Sequence, residues 1–410
     1  MSDPYFQQLF AERIGGVNYG KGTDIYKFEK IKRAKRKALA DFPNRPLLDF
    51  GIGENDSMAD PLVRHALNAE ANQLVNRGYA DNGCAEFKEA VARFMQRRLG
   101  VTLDPATEIN HCIGSKSALS ILPKVFINPG DITLMTVPGY PVAGTHTKYL
   151  GGTVYPLPLN AENNFYPDLD GIPDDVKQKA KLLVINYPNS PTGQVATEEF
   201  FAKVVEFAKK NNIVVVQDAA HIPFQFRGEP LSFLSIPGAK DVGVEVHSLS
   251  KGWDMIGWRI GWVCGNPLIV RAFADVKDNT DSGQFLAIQK AAIVALDNDE
   301  ILNETRCKYR RRLHKLVETL RELEFQCEMP GGTYFLYVKA PKGIENGQTF
   351  KNAEEVSQYL ITQHSICTVP WDDAGAFLRF SVTYQAETET AEDELMNALV
   401  ERINAIDFVF

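Results

Sequence analysis

The sequence predicts an α/β protein, with helices on both faces of a mostly parallel sheet and a smaller α+β domain. Two observations predict this fold. Between about residues 60 and 300, apolar runs of strand length alternate with helical patterns, which is typical of a parallel sheet buried on both faces. Beyond a long helical stretch near residue 300, strands and helices follow a different, mixed order. The 410 residues also exceed the roughly 250–300 that one core usually spans.

The individual elements follow from periodicity, Pro and Gly. A Lys- and Arg-rich stretch carries Ile25, Phe28, Ile31, Ala34 and Ala38 at helical spacing, so its charges are expected on the solvent side of an amphipathic helix. Further helices are predicted at residues 61–76, 84–99, 115–126, 197–210, 297–323, 353–364 and 391–406. Strands are predicted at residues 132–137, 182–186, 213–217, 242–247, 260–264, 333–338 and 377–382.

These elements predict two domains. Residues 51–299 form the large domain, and residues 1–50 together with 300–410 form the small one. The net charge of -8 gives no general attraction to nucleic acid or to an anionic membrane, and neither is expected as a partner. The N-terminus lacks the apolar core of a signal peptide, and the six cysteines are scattered, so a reducing cytoplasm and no metal site are expected.

Lys251 lies in the short connection between the strands at 242–247 and 260–264. A buried amine there needs a partner or a covalent bond. A primary amine forms a Schiff base with an aldehyde, and neighbouring hydroxyl and guanidinium groups bind phosphate. The phosphate-binding candidates are Ser248, Ser250 and Arg259. This combination predicts pyridoxal 5'-phosphate as cofactor, with Lys251 as the catalytic residue.

Other strand ends supply matching groups. Asp218 follows the strand at 213–217, where its charge can pair with the pyridine nitrogen of the cofactor. Asn189 or Ser190, in a turn fixed by prolines, can face the phenolic oxygen. Ser115 and Lys116 open a helix after Gly114, and a helix N-terminus binds phosphate. Tyr140, after the strand at 132–137, can stack on the pyridine ring.

Together these residues resemble the fold-type-I pyridoxal-phosphate enzymes, specifically the class I and II aminotransferases. The resemblance runs from residues 49–56 to the Leu378–Ser381 segment. It implies that Lys251 carries the cofactor as an aldimine and shuttles a proton in a ping-pong reaction. It also implies that Arg379 binds the substrate's α-carboxylate and that Gly53 lets the substrate approach the backbone. Tyr79 would reach the phosphate of a neighbouring subunit, so a homodimer with shared active sites is expected.

The sequence departs from the family pattern at two positions. Ser190 stands where the family usually has Asn, and Asn189 precedes it, which leaves open which of the two meets the phenolic oxygen. His221 stands where the family often has Tyr, three residues after Asp218. Imidazole can also donate a hydrogen bond to that oxygen, and its charge can change with pH.

Residues 18–29 and 277–285 are similar to LL-diaminopimelate aminotransferases. That similarity implies amino transfer between tetrahydrodipicolinate and glutamate in lysine biosynthesis. A substrate with an ammonium and a carboxylate at its far end needs polar partners there, and Tyr19, Lys21 and Tyr26 can supply some. The residues alone indicate only an amino acid with an α-carboxylate. An aminotransferase for aspartate, alanine or aromatic amino acids, a C–S β-lyase, and a binding protein without catalysis remain alternatives.

Overall fold

The computed structural model describes residues 4–21 and 27–410. Residues 22–26, in the middle of the segment at 18–29, lie outside the described residues. In chain order the α-helices are α1 Pro4–Gln7, α2 Lys27–Asp41, α3 Pro61–Ala71, α4 Ala85–Leu99, α5 Gly114–Phe126, α6 Val142–Tyr149, α7 Asp174–Lys179, α8 Glu198–Asn211, α9 Ala239–Val242, α10 Leu249–Gly252, α11 Pro267–Asp278, α12 Leu286–Asp297, α13 Asp299–Glu322, α14 Ala353–His364 and α15 Glu389–Ile403.

The strands alternate with these helices as far as residue 265 and then become more closely spaced. They are β1 Leu48–Asp49, β2 Ile109–Cys112, β3 Ile132–Val137, β4 Thr153–Pro158, β5 Ala180–Asn186, β6 Val214–Asp218, β7 Gly243–Ser248, β8 Gly261–Gly265, β9 Phe335–Lys339, β10 Gly343–Ile344, β11 Ile366–Cys367, β12 Val369–Trp371, β13 Phe377–Ser381 and β14 Phe408–Val409.

The large sheet has seven strands in the order β2-β8-β7-β6-β5-β3-β4. The strands from β7 to β4 are parallel, whereas β8 is antiparallel to both of its neighbours. Alternate residues of β5 enter different clusters: Leu183 and Ile185 pack on one face of the sheet, and Leu182 and Val184 on the other. The sheet is therefore covered on both faces, as the sequence predicts.

A second core surrounds the antiparallel sheet β12-β13-β9. It buries residues of α13, α14 and α15 together with Leu48 and Phe50 from the N-terminal part of the chain. This grouping supports the division into residues 51–299 and residues 1–50 with 300–410, which we retain as a proposal.

Some elements differ from the sequence prediction. The helix predicted at 61–76 ends at Ala71 and is followed by a 3₁₀ turn, Leu74–Arg77. Leu74 is 78% exposed, so it makes no core contact that would extend the helix. The pattern also missed α11 and α12. No helix of the described residues is long and apolar enough to cross a membrane.

Candidate active site

The loops after β5, β6 and β7 carry the residues with the clearest chemical signals. Asn186 pairs with Asp218, and Asp218 with Val246, so the carboxyl ends of the three strands lie at one edge of the sheet. Asn189 follows β5, Asp218 ends β6, and Lys251 lies in α10 directly after β7. This edge is where open α/β sheets bind ligands.

Lys251 is half-buried, and its amine donates a hydrogen bond to the Gly53 carbonyl at 2.7 Å. Burial lowers the pKa of Lys251 to about 8, and the nearby positive charges of Arg379 and Arg259 add to the effect. A sizeable fraction of this amine is therefore neutral near physiological pH, as a nucleophilic lysine requires.

Arg259 lies beside Lys251 and faces the start of α5. Its Nη1 donates to the Ser250 Oγ at 3.2 Å, while the Ser248 Oγ accepts from the Ser250 backbone N–H at 3.1 Å. Gly114 (φ +73°) has no side chain, and a Cβ there would collide with the Arg259 guanidinium. Ser115 and Lys116 follow in the first turn of α5. The predicted phosphate-binding residues thus lie together around a helix N-terminus.

Asp218 is 6% exposed at the end of β6. Burial raises the pKa of its carboxyl to about 6, and a hydrogen bond from the Ala220 N–H at 3.1 Å opposes that rise. At neutral pH this is a buried carboxylate without a cation paired to it in the described part of the chain. Such a charge is costly unless a cation approaches it.

Asn189 is fully buried, whereas Ser190 is half-buried. The Asn189 Oδ1 accepts from the N–H and the hydroxyl of Thr192 at 3.2 and 2.7 Å. Its Nδ2 has no hydrogen-bond partner among residues 4–21 and 27–410. A buried amide donor without a partner favours Asn189 over Ser190 as the residue that meets an acceptor on a ligand.

His221 is buried between aromatic rings. Its ring lies edge-on to Tyr334 at 5.5 Å and tilted against Phe335 at 5.8 Å. Burial lowers the pKa of His221 far below its usual value, and the charges of Lys251 and Arg379 act in the same direction. His221 is therefore neutral at physiological pH, and its Nδ1 lacks a partner among the described residues.

Arg379 in β13 is 6% exposed and packs its guanidinium over Phe335 at 4.1 Å. Its Nη2 donates to the Gly51 carbonyl at 3.1 Å, two residues from the Gly53 carbonyl that accepts from Lys251. Burial lowers the pKa of Arg379 to about 10. The short loop at residues 51–53 thus accepts hydrogen bonds from both the Lys251 amine and the buried Arg379 guanidinium. A guanidinium is suited to binding a carboxylate.

The three predicted tyrosines of the site are all exposed. Tyr140 is 45% exposed in the loop beyond β3. Tyr79 is 86% exposed after the 3₁₀ turn, and Tyr19 is 48% exposed, with its ring against Phe10 at 4.6 Å. The described contacts do not join Tyr79 or Tyr19 to Lys251 or Arg379 of the same chain.

The sequence pattern missed several residues at the site. The Tyr334 hydroxyl donates to the same Gly53 carbonyl at 3.0 Å, and the Asn55 Nδ2 donates to the Lys251 carbonyl at 2.6 Å. Asn55 also donates to Asp254, a residue at φ +54° whose pKa burial raises to about 6. The only local signals for a role of these residues in the site were the pair of glycines shortly before Tyr334 and, for Asn55, its position in the segment at 49–56.

One buried cluster lies on β7 and β8 of the large sheet, and its His247 directly precedes Ser248. Atoms of Glu245, His247 and Cys264 come close enough to hold a metal ion. The Glu245 carboxylate already accepts from the Ser232 hydroxyl at 2.7 Å and the Phe233 N–H at 2.6 Å, and it lies 3.0 Å from the His247 Nε2. These bonds satisfy the cluster as a structural network.

A family model described as Aminotransferase class I and II matches residues 45–399. The chain belongs to the class I and II aminotransferases. It is 52% identical over 414 residues to a protein of Methanococcus maripaludis named LL-diaminopimelate aminotransferase, with 100% of both chains covered. It is 39% identical over 369 residues to a protein of that name from Aquifex aeolicus, covering 88% of this chain and 93% of the relative.

Solved aminotransferase structures share its fold. Substrate-bound BacF from Bacillus subtilis is 30% identical, with a TM-score of 0.86 and 98% of each chain covered. An aminotransferase from Staphylococcus aureus is 29% identical, with a TM-score of 0.81 and coverage of 88% of this chain and 95% of the other. The α/β fold predicted from the sequence, that of the fold-type-I enzymes, is therefore confirmed for this aminotransferase.

Proposed function

We propose that this aminotransferase exchanges an amino group between LL-diaminopimelate and 2-oxoglutarate in lysine biosynthesis, with pyridoxal 5'-phosphate as cofactor. The observation that carries the chemistry is the Gly51–Gly53 loop, which accepts hydrogen bonds from Lys251 and Arg379 at 2.7 and 3.1 Å. The specificity is supported by the full-length 52% identity to a relative named LL-diaminopimelate aminotransferase.

The residues at the sheet edge fit that cofactor. The Asn189 Nδ2 is a buried donor without a partner in the described chain, suited to a phenolic oxygen, and Asp218 is a buried carboxylate suited to a protonated ring nitrogen. Gly114 leaves space for Arg259 at the start of α5. The phosphate would be held by Ser115, Lys116, Ser248, Ser250 and Arg259, with Tyr140 against the ring. When bound, the cofactor supplies a conjugated ring that accepts electrons from the substrate's α-carbon.

The chain supplies binding and proton transfer. Arg379 would bind the α-carboxylate through its planar fork, which matches a carboxylate. Lys251, with its pKa lowered to about 8, would take the proton from the α-carbon and return it to the product. Neutral His221 would offer a hydrogen bond without adding a third positive charge beside Lys251 and Arg379.

We further propose that the enzyme is a homodimer with shared active sites. Apolar side chains on α3 and the turn after it are exposed, among them Leu62 (56%), Leu74 (78%) and Val75 (71%). Tyr79 follows them at 86% exposure, which supports a contact with the phosphate of a neighbouring subunit. Tyr19, also exposed, is retained as a proposed substrate contact. The six free cysteines are in keeping with a reducing cytoplasm as the proposed location.

The absorbance of the purified protein between 300 and 500 nm tests this proposal. With pyridoxal phosphate bound, LL-diaminopimelate and glutamate are each expected to shift the cofactor band, and aspartate is not. A shift of the cofactor band with aspartate but not with LL-diaminopimelate would contradict the proposed substrate, while the protein would still be an aminotransferase. Pyruvate and ammonia released from a cysteine-like donor would indicate a C–S β-lyase, and no cofactor band would contradict the whole proposal.

A further inference from the structure

The sheet that carries Arg379 presents more than Arg379 on its active-site face. Arg379 is opposite Tyr337 of β9, and Phe377 is opposite Trp371 of β12. Opposed residues, and residues two apart on a strand, project to the same face of a sheet. Trp371, Tyr337 and Arg379 therefore share one face, on which the Tyr337 ring stacks on Phe377 at 4.3 Å.

Each of these three side chains has a buried polar atom without a partner in the described part of the chain. The atoms are the Trp371 Nε1, the Tyr337 hydroxyl and the Arg379 Nε. All three can donate a hydrogen bond, and a buried donor without a partner is destabilising. Such a set favours a ligand rich in hydrogen-bond acceptors.

Lys27, the first residue of α2, adds a positive charge to this face. Its Nζ lies 3.9 Å from the centre of the Trp371 ring. Burial lowers the pKa of Lys27, Asp373 and Asp372 oppose that shift, and Arg379 reinforces it. The ammonium of Lys27 is therefore close enough to the Arg379 guanidinium for the two charges to repel.

Lys27 forms no ion pair within residues 4–21 and 27–410, and the carboxylates of Asp373, Asp372 and Glu354 act on it through space. Asp372 is committed elsewhere, because its two oxygens accept from the Ala353 and Glu354 N–H groups at 2.7 and 3.3 Å and so hold the start of α14. Asp373 is exposed and acts on Lys27 only through space. Lys27 and Arg379 are thus two cations at the same face of the sheet, an arrangement that a ligand with two carboxylates would stabilise.

The spacing suits such a ligand. Trp371 is the diagonal neighbour of Arg379, and diagonal neighbours on adjacent strands lie roughly 7–8 Å apart. This backbone separation, at the level of the strands and not of the charged groups, is similar to the distance between the terminal carboxyl carbons of an extended seven-carbon dicarboxylic acid. Lys27 lies over Trp371, and its flexible side chain can change conformation to reach the remote carboxylate of a shorter ligand.

We propose that Lys27 and Trp371 bind the remote carboxylate of a dicarboxylic amino acid whose α-carboxylate is held by Arg379. This inference rests on the proposed function, which assigns the α-carboxylate to Arg379. It identifies Lys27 as a specificity residue for the far end of the substrate.

Calorimetry on the holoenzyme tests the inference with two unreactive ligands that differ by one charge, heptanedioate and heptanoate. Wild-type enzyme is expected to bind heptanedioate about tenfold more tightly, the gain typical of one charge-assisted contact. Lys27→Met keeps the chain over Trp371 and should lose this preference while binding heptanoate unchanged. Lys27→Arg should retain most of it, and Lys32→Met, an exposed lysine of the same helix, should match wild type.

The outcomes separate this inference from the proposed function. A preference for heptanedioate that survives in Lys27→Met, an equal loss for both ligands, or no preference in wild type would overturn the role of Lys27, even if LL-diaminopimelate is turned over. A Lys27-dependent preference in an enzyme that does not use LL-diaminopimelate would support the inference and contradict the proposed function.

Discussion

At the scale of single residues, the site depends on charges that burial makes costly. Lys251, Arg379 and Asp218 all have pKa values shifted toward the neutral form, with burial as the largest cause. We propose that each of these groups gains from a ligand: an aldehyde for the amine, a carboxylate for the guanidinium and a protonated ring nitrogen for the aspartate. Perturbed groups that need complementary partners within one cleft are what a cofactor site requires.

The pKa of Lys251 leads to a prediction for cofactor capture. Only the neutral amine attacks an aldehyde, so the rate at which apoprotein captures pyridoxal phosphate should rise with pH and level off above about 8. An amine with the usual lysine pKa of 10.5 would continue to react faster as the pH rises toward that value. Stopped-flow absorbance measures this profile, with Nα-acetyl-lysine as the control amine. A protein profile that follows the free amine would contradict the lowered pKa.

Arg379→Lys tests the assignment of the α-carboxylate. Lysine keeps the charge but loses the two-pronged contact, so kcat/KM should fall roughly 10–100-fold, equivalent to about 1.4–2.7 kcal/mol. The loss should be similar for every amino donor, because all of them carry an α-carboxylate. Steady-state rates with LL-diaminopimelate, glutamate and alanine give the comparison. A loss confined to dicarboxylic donors would place Arg379 at the remote carboxylate instead.

Some contacts between site residues can be predicted from the sequence, and others cannot. Ser248, Ser250 and Arg259 lie within a few residues of Lys251, so a local pattern predicts that they meet. Tyr334 contacts the Gly53 carbonyl across 281 residues of sequence, and nothing in its neighbourhood specifies that contact. The choice between Asn189 and Ser190 required the burial of each side chain, which depends on how the turn packs.

At the scale of elements, the start of α5 leaves the space that the Arg259 guanidinium occupies beside the proposed phosphate position. Gly114→Ala should raise the dissociation constant of pyridoxal phosphate at least about tenfold, because the added methyl group displaces the Arg259 guanidinium. Gly100→Ala is the matched control, since Gly100 has a similar φ of +67° but no atom within 4 Å of the added Cβ. Fluorescence titration of apoprotein measures both variants, and equal losses would exclude the steric cause.

Elements were predictable where a cap and a periodic pattern agree. The helix at 353–364 matches α14, where Asn352 accepts from the Glu355 N–H and the buried residues recur on one side. The missed α12 has no exposed residue between Leu286 and Leu296, so it lacks the periodic contrast that reveals a helix.

At the scale of the whole molecule, Arg312 of α13 joins separate parts of the chain. It is 1% exposed and donates to Glu392 at 2.7 Å, to Asp56 at 3.1 Å and to the Ala386 carbonyl at 2.8 Å. Asp56 belongs to the same loop as Gly53 and Asn55. The network therefore connects the site loop to the core of the C-terminal part, through contacts that no local pattern predicts.

Replacing Arg312 should destabilise the protein strongly. Arg312→Met leaves Glu392 and Asp56 short of a buried partner, and breaking such a pair costs about 3–5 kcal/mol. Arg310→Met, at an exposed position of the same helix, should change the free energy of unfolding by less than about 0.5 kcal/mol. Urea unfolding of holoenzyme, followed by circular dichroism, measures both. An equal free energy of unfolding for the two variants would show that the Arg312 network does not stabilise the fold.

The initial rate of glutamate formation from 2-oxoglutarate, with LL-diaminopimelate as donor, tests the proposed function most directly. The kcat/KM for LL-diaminopimelate is expected to be at least about tenfold above those for aspartate and alanine, a difference of about 1.4 kcal/mol in transition-state binding. Lys251→Ala is expected to abolish the reaction, while Lys203→Ala, at a lysine 70% exposed on α8, should leave it unchanged. A faster rate with aspartate, or sustained turnover by Lys251→Ala, would contradict the proposed function.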